Sequence, residues 1–280
     1  MMGSTVSIVI PTFNRSQLLA QAIDSALGQT VPVEVVVCDH GSTDDTPNVA
    51  ARYGARINYI RRDLDQGPII CWRDGIEHAA GEYIHINYDD DWSAPTFVEK
   101  TLPLLQASVG FVYTRVSLHS PDLEEIKTLH RHPPGTHSMA GIVQYLLREK
   151  LPISPGCALF RKRDALKNLL TQVPGARGVY GRNSGVGEDL LLFLLTALDY
   201  PHYAHVPEAL AHFLAHPASI TTSAGNTGKM SALVDAYTVA KAYYLGLPGH
   251  LPRQRGISAR IARLRWNAAG RRALAGLARP

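Results

Sequence analysis

Short apolar runs alternate with helical patterns along the N-terminal part of the chain. The runs are rich in β-branched residues, and they predict strands over 6–10, 33–38, 57–61 and 82–88. Apolar side chains at helical spacing predict helices over 16–29, 43–53 and 68–80. Ser16 is the expected N-cap of the first helix. Near-continuous apolar strands joined by helices are typical of a parallel sheet covered on both faces, so we predict an α/β fold with a mostly parallel sheet.

Polar or turn-forming residues follow three of these strands where each strand ends. Pro11-Thr12 ends the first strand, Asp39-His40 the second and Asp89-Asp90 the fourth. Sheets of this kind bind ligands outside the carboxyl ends of their strands. The pattern therefore predicts that these residues face one crevice.

The segment Tyr88-Asp89-Asp90-Asp91-Trp92 places consecutive carboxylates at the end of the fourth strand. Neighbouring carboxylates repel, so such a cluster needs a cation or full exposure to water. Oxygen ligands of this kind suit Mg²⁺ or Mn²⁺, which keep further positions for water and substrate phosphates. The alternative is a solvated acidic turn, since acidic residues are ordinary in turns.

The pattern changes after Trp92. Helices are predicted over 97–105 and 140–149, strands over 109–116 and 157–161, a polar stretch over 117–138 and a Gly-rich segment over 174–187. Glu188 and Asp189 then open an apolar helix over 190–197. Acids favour the first turn of a helix, so simple capping is one interpretation of this pair.

Composition indicates a globular protein with a substantial core. The chain has 280 residues, 45% of them hydrophobic and 19% charged, which fits one large domain or a domain with an appendage. The first apolar run lacks a basic segment before it and stops at Pro11, so we expect no signal peptide. The longest apolar run, 190–198, is well short of the ~20 residues that cross a bilayer. We therefore expect a cytoplasmic protein.

The cysteines do not form a recognisable motif. Cys38, Cys71 and Cys157 lie far apart in the sequence and form no C-x-x-C pair. This argues against a disulfide framework or a zinc site. We expect each cysteine to be a small buried hydrophobe.

Charge is unevenly distributed along the chain. The formal net charge is +4, yet residues 236–280 contain nine basic residues and no acidic ones. Arginines alternate with apolar residues and Trp266 over 253–279. This tail could be a solvated or core-docked helix, a segment that binds anionic lipid at the inner face of the membrane, or a nucleic-acid contact. No nucleic-acid-binding domain is recognisable, so nucleic acid is not expected as a partner.

Several motifs occur together in a fixed order. They are Val-Ser-Ile-Val-Ile-Pro-Thr-Phe-Asn-Arg at 6–15, Asp-His-Gly-Ser-Thr-Asp-Asp at 39–45, Gly-Glu-Tyr-Ile at 81–84, the acidic triplet at 89–91 and Gly-Glu-Asp at 187–189. In this order the chain resembles family 2 glycosyltransferases over roughly residues 5–222. The resemblance implies a GT-A fold and transfer of a sugar, with inversion, from a nucleotide diphosphate donor (UDP-, dTDP- or GDP-linked). It also implies a divalent metal, Mn²⁺ or Mg²⁺, on the diphosphate.

The resemblance assigns donor-binding roles by position. Pro11, Thr12 and Asn14 would line the nucleotide pocket, Asp39 would bond the base, and Asp89 would face the ribose or donor sugar. His40 departs from the family, because members often carry a second acid there, and this leaves the nucleotide open.

The same resemblance assigns the metal and the catalytic base. Asp90 would be the principal metal ligand and His216 a further one, although histidine is also common in loops. Asp189 would be the general base. Arg73 stands where asparagine is frequent, and it would either reach the diphosphate or only decorate its helix. Tyr88 replaces the first acid of the Asp-x-Asp that many members carry.

We therefore expect a GT-A domain over 1–228 and a helical, Arg-rich extension over 229–280. Its acceptor would be a glycan, glycolipid or protein, chosen by segments 117–138, 174–187 and 221–229. A sugar-1-phosphate nucleotidyltransferase is a rival, but it should show a Gly-rich basic loop after the first strand. A nicotinamide dehydrogenase is disfavoured because no G-x-G-x-x-G follows that strand. An inactive nucleotide-sugar-binding or scaffold protein is the rival from another class.

Overall fold

One twisted sheet organises the chain. The computed structural model describes residues 5–120, 127–130, 132–148, 153–173, 185–219, 222–223, 225 and 227–247. Within these residues the main strand order is β3-β2-β1-β4-β9-β6-β10-β5, with β7 paired to β6 and β8 to β10. The strands are β1 Val6–Thr12, β2 Glu34–His40, β3 Asn58–Arg62, β4 Tyr83–Ile86, β5 Trp92–Ser93, β6 Val109–His119, β7 Lys127–Leu129, β8 Gly135–Ser138, β9 Ala158–Arg161 and β10 His202–Leu214.

Helices accompany the strands in the described part of the chain. They are α1 Ser16–Leu27, α2 Thr46–Ala51, α3 Pro68–His78, α4 Phe97–Thr101, α5 Met139–Arg148, α6 Lys162–Asn168, α7 Glu188–Asp199 and α8 Met230–Gly246, with short 3-10 turns at Gly54–Arg56, Leu102–Leu104 and Pro155–Cys157. The predicted helices and strands of the N-terminal part are confirmed to within a few residues at their ends.

The N-terminal part of the sheet is parallel, as predicted. β1 pairs in parallel with β2 on one side and with β4 on the other, and β3 pairs in parallel with β2. The register sets Thr12 opposite Asp39, so the last residues of β1 and β2 lie side by side. Parallel pairing with a helix in each crossover explains why β1 and β2 are buried along nearly all of their length.

The C-terminal part of the sheet is mixed, which the sequence did not indicate. β9 pairs antiparallel with both β4 and β6, whereas β6 and β10 run parallel. The long strand β10 escaped prediction because Pro207 and the polar residues around it interrupt the apolar pattern. The register of β10 against β6 shifts between Val206 and Ala209, around this proline, which is where a sheet tolerates a residue without an N–H.

Two apolar clusters cover the two faces of the sheet. Helices α1, α2 and α4 pack on one face, and α3, α5, α6, α7 and α8 pack on the other. Helix α8 contributes Leu233, Tyr237 and Tyr244 to the second cluster and lies against α7. The predicted domain boundary at residue 228 therefore falls just before a helix that shares this core. The arginine-rich segment 253–279 lies outside the described residues.

A carboxylate from another loop completes the start of α1. Ser16, the expected N-cap, is already the first helical residue, and its N–H donates to Asp44 Oδ2 at 3.0 Å. Asp44 Oδ1 also accepts from the N–H of Thr46, at 3.0 Å. The capping function thus comes from the β2–α2 loop, and it holds that loop against the start of α1.

No helix in the described ranges is both long enough and apolar enough to span a bilayer.

Gly75 lets α3 lie close to the sheet, and its replacement gives a stability test. A Cβ at this position would lie 2.4 Å from Val9 Cγ1 and 3.4 Å from Cys38 Cβ. Gly75→Ala should therefore lower the free energy of unfolding by about 1 to 3 kcal/mol, because the helix must move off β1. Urea titration followed by circular dichroism measures this change.

Gly141→Ala in α5 is the matched control, since a Cβ there would meet nothing within 4 Å. Alanine is the better helix former, so this variant should be neutral or more stable by up to about 1 kcal/mol. Equal effects of the two substitutions would contradict the close packing of α3.

Candidate active site

The loops after β1 and β2 are joined at the carboxyl edge of the sheet by Asn14. Its backbone has φ 53°, a left-handed conformation that asparagine tolerates better than most residues. The Asn14 N–H donates to Ser42 Oγ at 2.8 Å, and Asn14 Oδ1 accepts from the Thr43 N–H at 2.8 Å. Pro11 and Thr12 precede this junction as the buried end of β1. The structure thus brings Pro11, Thr12 and Asn14 to one edge.

Asp39 lies at the end of β2 and is held by protein groups. Its Oδ1 accepts from the Ser42 N–H at 2.9 Å, and its Oδ2 accepts from the Tyr59 hydroxyl at 2.6 Å. Arg61 Nε lies 3.5 Å from the same Oδ2, and the side chain is 0% exposed. In this structure the carboxylate fixes the β2–α2 loop, and its predicted contact with a base stays a prediction.

The three consecutive carboxylates have different surroundings. Asp91 is buried and its Oδ1 accepts from the Leu214 N–H at 3.0 Å, which ties the turn to the end of β10. Burial, aided by the charge of Asp90, raises the pKa of Asp91 well above its usual range. Burial and the same neighbouring charge raise the pKa of Asp89 to about 7. Like-charge repulsion is thus reduced because Asp89 and Asp91 resist ionisation beside Asp90.

Asp90 meets His216, and these are the two residues assigned to the metal. Asp90 Oδ2 lies 2.9 Å from His216 Nε2, and the two side chains are 17% and 14% exposed. Arg15 Nη1 lies 3.5 Å from the same imidazole nitrogen, and Arg15 Nη2 donates to the Ala218 carbonyl at 3.0 Å. Arg15 was quoted in the sequence motif without a role; the structure places its charge beside the pair.

The pair fits a hard divalent cation. One carboxylate oxygen and one imidazole nitrogen, both partly exposed, leave room for water and substrate oxygens, as Mg²⁺ and Mn²⁺ require. The two residues are far apart in sequence, and the bond between Asp91 and β10 helps to bring them together.

Asp189 lies at the start of α7 and is held by three donors. Its Oδ1 accepts from the N–H groups of Gly187 at 2.9 Å and Leu190 at 2.7 Å, and its Oδ2 accepts from the Tyr237 hydroxyl at 2.9 Å. Burial raises the pKa of Asp189 to about 6, against the lowering effect of these hydrogen bonds. At neutral pH the group is therefore ionised yet more basic than an exposed carboxylate.

Tyr88 is close enough to both Asp189 and the acidic turn to feel the charges of each. Burial raises the pKa of the Tyr88 hydroxyl well above its usual range, and the charges of Asp189 and Asp91 add to this effect. The Tyr88 ring also packs on Trp72 with a centroid distance of 5.2 Å. Charges at the start of α7 and in the acidic turn thus both favour the protonated form of Tyr88.

The surroundings of Glu188 and Arg73 favour a structural role for each residue over contact with substrate. Glu188 is buried, and burial raises its pKa to about 7. Arg73 pairs through Nε with Glu77 at 2.9 Å, while its Nη1 donates to the carbonyl of Leu166 at 3.1 Å and to that of Leu169 at 3.3 Å. Arg73 therefore fastens α3 to the end of α6, which supports a structural role over contact with a diphosphate.

The sequence matches a known protein family. The family model for glycosyl transferase family 2 matches residues 7–170, more than half of the chain. The chain belongs to this family. The match ends before Asp189, His216 and Tyr237, so it does not bear on these three residues.

Relatives and solved structures are similar to this chain over different spans. A Campylobacter jejuni GalNAc(5)-diNAcBac-PP-undecaprenol beta-1,3-glucosyltransferase is 36% identical over 91 residues, which are 31% of this chain and 29% of that relative. The chain's matches span only 15% to 39% of the lengths of the first curated relatives.

Two solved structures with the GT-A fold are similar to this chain. S. aureus TarS with UDP-GlcNAc has a TM-score of 0.63 and 15% identity, covering 84% of this chain and 66% of that one. Glucosyl-3-phosphoglycerate synthase from Mycobacterium tuberculosis has a TM-score of 0.56 and 17% identity, covering 86% and 81%. The predicted fold is thereby confirmed.

The hydroxyl of Tyr237 should control the basicity of Asp189. Tyr237→Phe removes a donor to the ionised carboxylate, so the pKa of Asp189 should rise by about 1 to 2 pH units. Carboxyl ¹³C NMR titration of aspartate-labelled protein measures it, with Asp189→Asn to assign the signal. Tyr243→Phe on the same helix is the control and should leave the titration unchanged. An unshifted Asp189 signal in Tyr237→Phe would contradict the contact.

Proposed function

We propose that this protein is a divalent-metal-dependent, inverting glycosyltransferase. It would move a sugar from a nucleotide diphosphate donor to a hydroxyl of an acceptor. The observation that carries the proposal is the contact of Asp90 with His216 at the carboxyl edge of the sheet. The family supplies the glycosyl transfer, and this pair supplies a reason for metal dependence.

The donor site is proposed at the ends of β1 and β2. Pro11, Thr12 and Asn14 would frame the nucleotide, with Asp39 behind them at the end of β2. The structural neighbours are described with UDP-GlcNAc in one case and with UDP and Mn²⁺ in another, which supports a nucleotide sugar here. A UDP-, dTDP- or GDP-linked sugar would fit this proposal.

Asp90 and His216 would hold Mn²⁺ or Mg²⁺ beside the donor diphosphate. A cation held by these residues would stabilise the negative charge on the leaving diphosphate. Arg15 adds a fixed positive charge next to the pair and acts in the same direction. Asp89, which resists ionisation beside Asp90, would face the ribose or the sugar.

Asp189 would accept the proton of the acceptor hydroxyl as that oxygen attacks the anomeric carbon. A base must be ionised before it can accept a proton, and its efficiency is best when its pKa lies near the working pH. A pKa of about 6 meets both conditions at neutral pH. The donors from Gly187, Leu190 and Tyr237 hold the carboxylate in one orientation. Attack opposite the diphosphate inverts the configuration of the sugar.

The acceptor is proposed to be a hydroxyl of a glycan, glycolipid or protein. The segments expected to choose it fall partly on 121–126, 131, 174–184 and single positions of 220–226, which lie outside the described residues. Lipid binding by 253–279 and a peripheral place at the membrane remain proposals from the sequence for the same reason.

Asp189→Asn tests the base. The variant should still bind donor but lose roughly 10² to 10⁴ in turnover, because the amide cannot accept the proton. Glu188→Gln is the matched control and should lower turnover only slightly. The pKa of this buried carboxyl is about 7, so much of it is already uncharged at neutral pH, and an amide of the same shape can take its place. Initial rates are measured with a nucleotide sugar that the protein turns over. Near-normal turnover of Asp189→Asn would refute the mechanism, and donor binding without turnover in the wild type would favour the scaffold rival.

Asp90→Ala tests the metal pair. Calorimetric titration of nucleotide diphosphates with and without Mn²⁺ should show tighter binding with Mn²⁺ in the wild type but not in Asp90→Ala. Asp91→Asn is the control, because an amide oxygen can still accept from the Leu214 N–H. It should keep the Mn²⁺ dependence. The same Mn²⁺ dependence in Asp90→Ala would remove Asp90 from the proposed site.

A further inference from the structure

A second cluster of possible metal ligands lies between β2 and α3. Cys38 and His40 alternate along β2 and so project from the same face of the strand, the face that α3 covers. Cys71 and Asp74 are separated by about one turn of α3. The absence of a side chain at Gly75 brings the helix against Cys38. Cys38 and His40 therefore lie close to Cys71 between the sheet and α3, although the two segments are distant in sequence.

The cluster has the composition of a site for a soft metal. One ligand atom from each of Cys38, His40 and Cys71 lies within 4.8 Å of the other two. Within the residues the structure describes, no other group of three histidine, cysteine or acidic side chains meets this criterion. Cys38, His40 and Cys71 are 0%, 1% and 3% exposed to solvent. Two sulfurs and one imidazole suit Zn²⁺ or Cu⁺, whereas Asp90 with His216 suits harder cations.

His40 is oriented as metal-binding histidines are. Its Nε2 lies 3.2 Å from Asp74 Oδ2, and Arg62 Nε donates to the same oxygen at 2.8 Å. An Nε2–H donated to Asp74 leaves the lone pair on Nδ1. That atom is buried and has no hydrogen-bond partner among the described residues. A carboxylate behind the imidazole that fixes its tautomer is the usual arrangement around metal-bound histidine.

The Cys71 thiol has a hydrogen-bond acceptor in the backbone. In this structure Cys71 Sγ lies 3.0 Å from the Cys38 carbonyl oxygen and donates to it. All three cysteines of the chain are free. Binding of a cation would displace the thiol protons to solvent, because the thiolate is the ligand. A disulfide between Cys38 and Cys71 would instead require an oxidant, and it would leave His40 Nδ1 unpartnered.

We propose that Cys38, His40 and Cys71 bind one Zn²⁺, with Asp74 as the residue that orients the imidazole. Three protein ligands leave a fourth position for water in the tetrahedral geometry that Zn²⁺ prefers. The ion would fasten the end of β2, immediately beside Asp39, to α3. This site is separate from the Asp90 and His216 pair and does not depend on the proposed transfer reaction.

Metal content of the full-length protein, purified without an affinity tag or chelator, tests the proposal. We expect about one equivalent of zinc per chain, and replacement by Co²⁺ should give a thiolate-to-cobalt charge-transfer band. Cys71→Ser should lose both signals. Cys157→Ser is the matched control, since Cys157 is also buried but lies outside the cluster, and it should keep both.

Asp74→Asn separates orientation from ligation. It keeps all three ligands but weakens the hydrogen bond to His40, so zinc affinity in competition with a chromophoric chelator should fall roughly 10- to 100-fold. The proposal is overturned if the wild type shows no charge-transfer band with Co²⁺, a result that needs no folded variant. It is also overturned if Cys71→Ser binds zinc as the wild type does, or if mass spectrometry finds a Cys38–Cys71 disulfide in metal-free protein.

Discussion

The parallel pairing of β1 with β2 and β4 is the constraint on which the rest of the structure depends. Because β1 lies between the other two strands, one register decides where all three chains leave the sheet. Thr12 is set beside Asp39, and Asn87 donates its N–H to the Val9 carbonyl at 2.9 Å as β4 ends. Polar loops separated by long stretches of sequence consequently form one edge. A shift of one residue would turn their side chains to the opposite face.

The three carboxylates at this edge have different surroundings. Asp90 is the one that contacts His216, while the pKa values of its half-buried neighbour Asp89 and its buried neighbour Asp91 are raised. Asp91 is tied to β10, so the turn that presents Asp90 is anchored to the strand that leads towards His216. The guanidinium of Arg15 lies 3.5 Å from the His216 imidazole and so places positive charge beside this pair.

The sequence was informative where physical signals are local. Near-continuous apolar runs located β1 to β4. The motifs at the ends of β1 and β4 singled out Asn14 and Asp90, and the Gly-Glu-Asp motif at 187–189 singled out Asp189. It was uninformative where contacts join distant segments. Pro207 hid β10. Tyr237 looks like one more apolar position of a helix, and nothing near it in sequence points to Asp189. The spacing of Cys38 and Cys71 gave no sign that they lie close together, because only the packing of α3 on β2 brings them there.

The pKa of Asp189 depends on a hydrogen bond from helix α8, which is distant in sequence. The hydroxyl that stabilises its ionised form comes from a helix well beyond residues 7–170, the span shared with the family. A change in how α8 seats on α7 would alter the proton affinity of Asp189 while leaving the donor-side loops untouched. Substitutions in α8 that move the Tyr237 hydroxyl would therefore shift the pH at which the Asp189 carboxyl ionises.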